Sequence, residues 1–252
     1  MSLILIDDLA YRASERSRTF TLALSGVVLQ ALNGLESAQR SAKKMFAERS
    51  ESLFVSHFFN EQEHLSKGSA TIAAVAYSDA MISLDRDDQF SEDDSLNSHV
   101  AEVVEQVNQS LTAQVHRDYN QAKKALRDVS LQVDMMTRSR GWKRSAALIA
   151  IRQQNSQEIK FSFKDRSGRS WASDKYTYTL LRSHYLSIYN EVYLYALTQG
   201  KIEVAHVKHE DANHKHNGLR FSIAPSETNE SDYFSIAPSV FHPNSRALVS
   251  RL

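Results

Sequence analysis

Cysteine is absent from this 252-residue chain. Its absence excludes disulfides, thiolate metal sites and a cysteine nucleophile, and it suits a reducing compartment. Proline is scarce: there are three, at 225, 238 and 243. The seven glycines are scattered, and no phosphate-cradling glycine loop, Gly-x-Ser-x-Gly elbow or His-Glu-x-x-His helix occurs. Charge of one sign is missing as well, with 30 Lys and Arg against 30 Asp and Glu. That balance excludes wholesale coating of nucleic acid, which needs a basic face, and leaves room only for a local basic patch. The longest apolar run, residues 22–32, is broken by Ser25 and Gln30. It is too short to cross a bilayer, and the start of the chain lacks a signal-peptide charge pattern. The expectation is a soluble protein made in the cytoplasm, with no membrane partner.

What remains is rich in Ala, Leu, Ser, Gln and Glu, and the first 150 residues contain no proline at all. That composition predicts helix. Leu22, Leu24, Val27, Val28, Leu29, Leu32 and Leu35 predict a helix apolar on most sides and therefore buried. Met45, Phe46, Leu53, Phe54, Phe58 and Phe59 predict a helical hairpin and its core. Residues 70–84 read as a further helix, small on a face made of Ala70, Ala73, Ala74 and Ala76, which permits close helix contact. The acids Asp85, Asp87, Asp88, Glu92, Asp93 and Asp94 lack the glycine and terminal glutamate of a calcium loop. They read as a solvated loop, with Asp94 or Ser95 as a helix cap. Val100, Val103, Val104, Val107, Leu111, Val115, Tyr119, Ala122, Leu126, Val129 and Val133 recur three or four apart. They predict one continuous amphipathic helix, the spine of a bundle or an arm toward a partner.

After residue 158 the periodicity changes. Residues 158–164 alternate strictly and predict a strand, with a turn at Arg166-Ser-Gly-Arg169. Ser173 or Asp174 caps a helix that runs to about Gln199, and Gly200 is its expected stop. Residues 202–207 predict a second strand, 209–218 a polar loop, 219–223 a third strand, and 240 onward a fourth. Phe221-Ser-Ile-Ala-Pro225 returns as Phe234-Ser-Ile-Ala-Pro238, read as two short strands able to pair. The fold class is α+β: a mainly helical N-terminal part with a long amphipathic helix, then a small C-terminal α+β unit. The expected division is 1–155, a helical docking and assembly region, and 156–252, the α+β domain.

Three groups of residues bear on chemistry. His206, His209, His214 and His216 fall within eleven residues, and His242 returns near the end. Neutral imidazole is a common metal ligand, so His209, His214, His216 and His242 would hold a structural metal ion, with Glu210 or Asp211 completing the site. The other reading is a solvated polar loop, in which alternate residues of a strand face opposite ways. Arg138, Arg140, Lys143, Arg144 and Arg152 form a basic stretch around Trp142. It reads either as a phosphate-contacting, nucleic-acid-binding patch or as a solvated helix end, where cations suit the helix dipole. Tyr176, Tyr178, Tyr185, Tyr189, Tyr193 and Tyr195 give the late helix an aromatic surface, for packing or for a protein contact. Within that helix, Arg182 is expected to pair with Glu191 or Asp174.

The order of the late motifs resembles the C-terminal domain of phage minor head proteins of the MuF-like class, also called head morphogenesis or minor capsid proteins. The matching pieces are Gly168-Arg169-Ser170-Trp171, Arg182 and Asn190 on the helix, the strand at 202–207, His214-Lys-His216 followed by Gly218, and His242-Pro243-Asn244-Ser245-Arg246. They cover roughly the last ninety residues. Where many relatives carry cysteines this chain has His214, His216 and Ser245, so any metal site would be built from histidines. The resemblance implies a virion structural protein without enzymatic activity. It would lie in the head interior or at the portal vertex, be made in the bacterial host cytoplasm, and assist head assembly or genome packaging and delivery. Its implied partners are the portal protein, the major capsid protein and packaged DNA. Two alternatives stay open on the residues alone: a histidine-metal-dependent hydrolase or nuclease, and a DNA-binding adaptor.

Overall fold

Long helices dominate the computed structural model, which describes residues 2–35, 39–86, 94–154, 159–165, 167–223, 231–242 and 244–251. In order the elements are α1 (Ser2–Gly34), α2 (Gln39–Ser83), α3 (Asp94–Arg140), α4 (Arg144–Gln154), β1 (Ser162–Lys164), β2 (Ser170–Ala172), α5 (Ser173–Gln199), β3 (Val204–His209), β4 (Arg220–Ser222), α6 (Tyr233–Val240) and β5 (Ala247–Ser250). The fold is α+β, mainly helical with a small C-terminal antiparallel sheet. β1 and β2 form a two-stranded antiparallel hairpin, and the three-stranded sheet has the order β4-β3-β5.

The expected long amphipathic helix is present as α3, of 47 residues. The other helices are longer than the periodicity suggested. The aromatic-rich stretch and the alanine-rich stretch belong to one continuous helix, α2, rather than to a hairpin and a separate helix. No proline or left-handed residue interrupts it, so helix propagation carries through. Its small buried positions are Gly68, Ser69, Ala73, Ala76 and Ala80, whereas Ala70 and Ala74 are exposed. A Cβ at Gly68 would stand 2.6 Å from the hydroxyl of the buried Tyr185, so glycine is what lets α5 approach there. α1 is likewise less buried than expected, since Leu22 and Leu29 face solvent.

The chain groups into two units, and neither follows a division at residue 155. One comprises Met1–Ala13, Gln62–Gln109 and Thr177–Leu252; the other Ser14–Glu61 and Ser110–Tyr176. The reason is helix length: α1, α2, α3 and α5 each contribute a stretch to both. In the second unit Phe20, Leu24, Val28, Leu35, Phe46, Val115, Leu126, Val133, Leu148, Ile151 and Phe161 share one core. There α1 and α2 run antiparallel, with Gly34 against Ala42 and the Arg16 guanidinium on Glu61. In the first unit α5 is the centre. Tyr185, Tyr189 and Tyr193 are buried, so these tyrosines are packing residues. Asp79 of α2 accepts hydrogen bonds from Tyr189 (2.8 Å) and Ser2 (2.7 Å).

Helix ends show where local rules were incomplete. Gly200 is not the left-handed residue that ends α5. Lys201 is, at φ +58°, with Ile202 N–H on Leu197 O and Lys201 N–H on Thr198 O. This is a Schellman arrangement in which Lys occupies the place glycine prefers. Gly200 serves packing instead, because a Cβ there would stand 2.8 Å from Leu84. Asp85 ends α2 in the same way at φ +54°, with Arg86 N–H on Met81 O. Lys201→Gly is therefore expected to stabilise the protein by about 1 kcal/mol, measured by urea denaturation. A loss of stability would mean that the Lys201 side chain is held by something other than the turn.

The repeated pentapeptide does not make two pairing strands. Phe221 lies in β4 and is fully buried, whereas Phe234 lies in α6 and is 73% exposed. Asp232 caps α6 by accepting from Ser235 N–H, and Tyr233, Ile236 and Val240 form its buried stripe. Pro238 stands inside this short helix. Ala224 and Pro225 lie outside the described residues, as do Asp87, Asp88, Glu92, Asp93, Glu158 and Arg166, and the side chains of Asp94 and Ser95.

Candidate functional site

The first unit gathers most of the late motif residues around α5. Arg182, 3% exposed, extends its guanidinium between two segments distant in sequence. Its Nε donates to Asp7 Oδ1 of α1 at 2.7 Å, and its Nη2 donates to the Ser245 carbonyl at 2.9 Å. Arg182 is thus paired with Asp7, not with Glu191 or Asp174. Glu191, two turns on, instead accepts from Ser187 (2.5 Å) and pairs with His99 of α3 (2.8 Å). Asn190 is completely buried, and its Oδ1 accepts Val249 N–H of β5 at 2.9 Å. Arg246 completes the arrangement through ion pairs to Asp7 and to Glu210, which directly follows β3. Those hydrogen bonds lower the Glu210 pKa and raise that of Arg246. Helix α5 thereby latches the terminal segment through one buried cation and one buried amide. His242 and Asn244 form the turn that leads in: the Ser245 N–H reaches the His242 carbonyl, and Asn244 N–H points at His242 Nδ1 at 3.3 Å. Pro243 lies outside the described residues.

The histidine loop follows β3. The rings of His209 and His214 are stacked with centroids 3.8 Å apart and planes 11° apart, and His216 lies 5.3 Å beyond His214. His209 Nδ1 accepts the Asp211 N–H at 3.0 Å, and His214 Nδ1 takes that of His216 at 3.3 Å. Desolvation, then Lys215 and the neighbouring imidazoles, lower the His216 pKa. Metal ligation needs lone pairs, which lie in the ring planes, to converge on one point. Parallel stacked rings with Nδ1 already engaged do not offer that. Among the described residues no group of three or more His, Asp or Glu side chains is placed to hold a metal ion. The set His209, His214, His216 and His242 therefore does not fit a metal centre in this conformation.

The remaining motif residues, Gly168 and Trp171, belong to the second unit. Asp165 accepts from Ser167 Oγ (2.7 Å), Trp171 Nε1 (2.9 Å) and the N–H groups of Ser167 and Arg169. These bonds hold its carboxyl down to about 2. Gly168, at φ +83°, supplies the left-handed turn between β1 and β2. The Arg169 guanidinium stands 4.3 Å above the Trp171 ring. Behind the hairpin lies a group the sequence reading missed. Asp118 of α3, 2% exposed, accepts from Ser173 Oγ (2.6 Å) and Gln114 Nε2 (3.0 Å). Gln114 Oε1 in turn accepts from Arg117 (2.8 Å). Burial, opposed by those hydrogen bonds, raises the Asp118 pKa to about 6. The one sequence signal was an acid on the apolar stripe of α3, four residues before Ala122 and three after Val115.

The basic stretch splits. Arg144 is tied to Asp134 and is half-buried, so it is no free phosphate ligand. Arg138, Arg140 and Lys143 are exposed. The side chain of Arg152 lies outside the described residues. Gly141, at φ +64°, separates α3 from α4.

No family model, no curated protein and no solved structure matches this chain. No described helix is long and apolar enough to cross a membrane.

Proposed function

We propose that the chain is a virion structural protein, a minor head protein associated with the portal and the head interior, which assists head assembly or genome packaging and delivery. The observation that carries this reading is the latch. Arg182 and Asn190, which together with the terminal His-Pro-Asn-Ser-Arg resemble MuF-like proteins, reach that same terminal segment through Ser245 and Val249. Short motifs that match by accident have no reason to meet in space. Both side chains are buried and each commits a hydrogen bond to that segment, so the pattern reads as one device spread over some sixty residues. The long helices supply extended surface for protein partners. The histidine-dependent enzyme finds no convergent ligand set among the described residues to support it.

The test is recovery of partners with the tagged chain from producing cells, identified by peptide mass spectrometry. Portal and major capsid proteins are expected. Their absence, with the chain alone or with unrelated cytoplasmic proteins, would sink the reading. Truncation at residue 155 is a poor test of which part docks, because removing 156–252 strips α5 from a unit that residues 1–13 and 62–109 help to build. Surface substitutions on a single helix are the appropriate variants.

A further inference from the structure

The end of α3 carries a surface that the head-protein reading does not use. Leu131, Met135 and Arg138 are spaced i, i+4 and i+7, which places them on one face of the helix. Leu131 is 60% and Met135 63% exposed. Beyond that face come Trp142, 38% exposed, and Lys143 in the linker to α4, while Arg140, nine residues from Leu131, projects from the opposite side of the last turn. Elsewhere many exposed cations lie beside acids: Arg12 with Asp8, Lys44 with Glu48, Lys67 with Glu63, and Lys124 and Arg127 with Asp128. Asp134, the nearest acid along α3, is taken by Arg144. Arg138, Arg140 and Lys143 have no ion pair among the described residues. In a chain of zero net charge this leaves a local surplus of three positive charges.

We propose that this surface binds the face of an anionic phospholipid bilayer, peripherally and without spanning it. Charge alone would suit nucleic acid as well, since phosphate is common to both. The apolar members decide between them. On a duplex backbone Leu131 and Met135 would stay in water. At a bilayer they enter the acyl boundary while the long cationic side chains reach the headgroups and the indole sits at the interface. This inference is independent of the proposed head-protein role, and it departs from the expectation of no membrane partner, which rested on the lack of a spanning segment.

The test uses the full chain with vesicles of phosphatidylcholine alone and of phosphatidylcholine with phosphatidylglycerol. Cosedimentation is expected only with phosphatidylglycerol present. Trp142 emission should shift to the blue on binding, a shift missing in Trp142→Phe. Arg138→Gln/Lys143→Gln should weaken partitioning about thirtyfold, at about 1 kcal/mol per cation near an anionic surface. Leu131→Ser/Met135→Ser should weaken it as well, with circular dichroism showing both variants folded. No binding to phosphatidylglycerol vesicles overturns the proposal. So does duplex DNA binding that falls with the charge variant and ignores the Leu131/Met135 change.

Discussion

Asp118→Asn should change the pH dependence of stability by about 3 kcal/mol between pH 4 and pH 7. The carboxyl is buried, and its folded pKa of about 6 lies above the ordinary carboxylate value. A group whose folded pKa is raised binds protons more tightly when folded. Between pH 4 and 6 the native state therefore holds more protons than the unfolded chain, and stability falls as pH rises through that window. Above pH 6 the full penalty of a buried carboxylate is present; below pH 4 it is gone. Asparagine keeps an oxygen able to accept from Ser173 and Gln114 and carries no charge, so the variant lacks this term at every pH. The difference between wild type and variant in urea denaturation isolates it, because all other titrating groups are common to both. Wild type should gain on the variant as pH drops from 7 to 4. A difference that stays constant across that range would show Asp118 ionised normally, with water reaching it. Neighbouring Arg117 also opposes the shift, less than the hydrogen bonds from Ser173 and Gln114 do.

Arg182→Met should cost roughly 2–4 kcal/mol. Removing the guanidinium leaves the Ser245 carbonyl without its buried donor and takes one partner from Asp7. The loss stays below that of a wholly orphaned carboxylate, because Asp7 is 27% exposed in its side chain and keeps Arg246. Asn190→Ala acts on the same latch through a different bond. It leaves the Val249 N–H of β5 unpaired and should cost roughly 1–3 kcal/mol. Both variants should raise amide exchange in β5 more than in β4, since both are edge strands but it is β5 that loses its tie to α5. Replacing Asp7 and Arg182 together by apolar residues should recover part of the single-variant loss, because an absent pair costs less than a broken one. Equal exchange in β4 and β5 would mean that the latch is only one more core contact.

Helicity and the continuity of α3 were written in the sequence itself. A proline-free stretch with apolar residues at spacings of three and four has one low-energy backbone, and neighbours along the chain decide it. The same holds for the turn at Gly168, which needs a left-handed residue, and for the α5 start at Ser173. Tertiary structure decided what depends on residues far apart in the chain. Arg182 meets Asp7 across 175 positions, a partner that no local rule selects over Glu191. The pentapeptide Phe-Ser-Ile-Ala-Pro begins as strand at 221 and is helix at 234, because β3 pairs with one copy while Asp232 caps the other. The histidines looked alike as ligands until their rings were placed face to face. Division at residue 155 followed composition, but helices as long as α1, α2 and α3 serve two cores each. Periodicity marks which face of a helix is apolar; only packing determines what that face, or a charge set within it, is buried against.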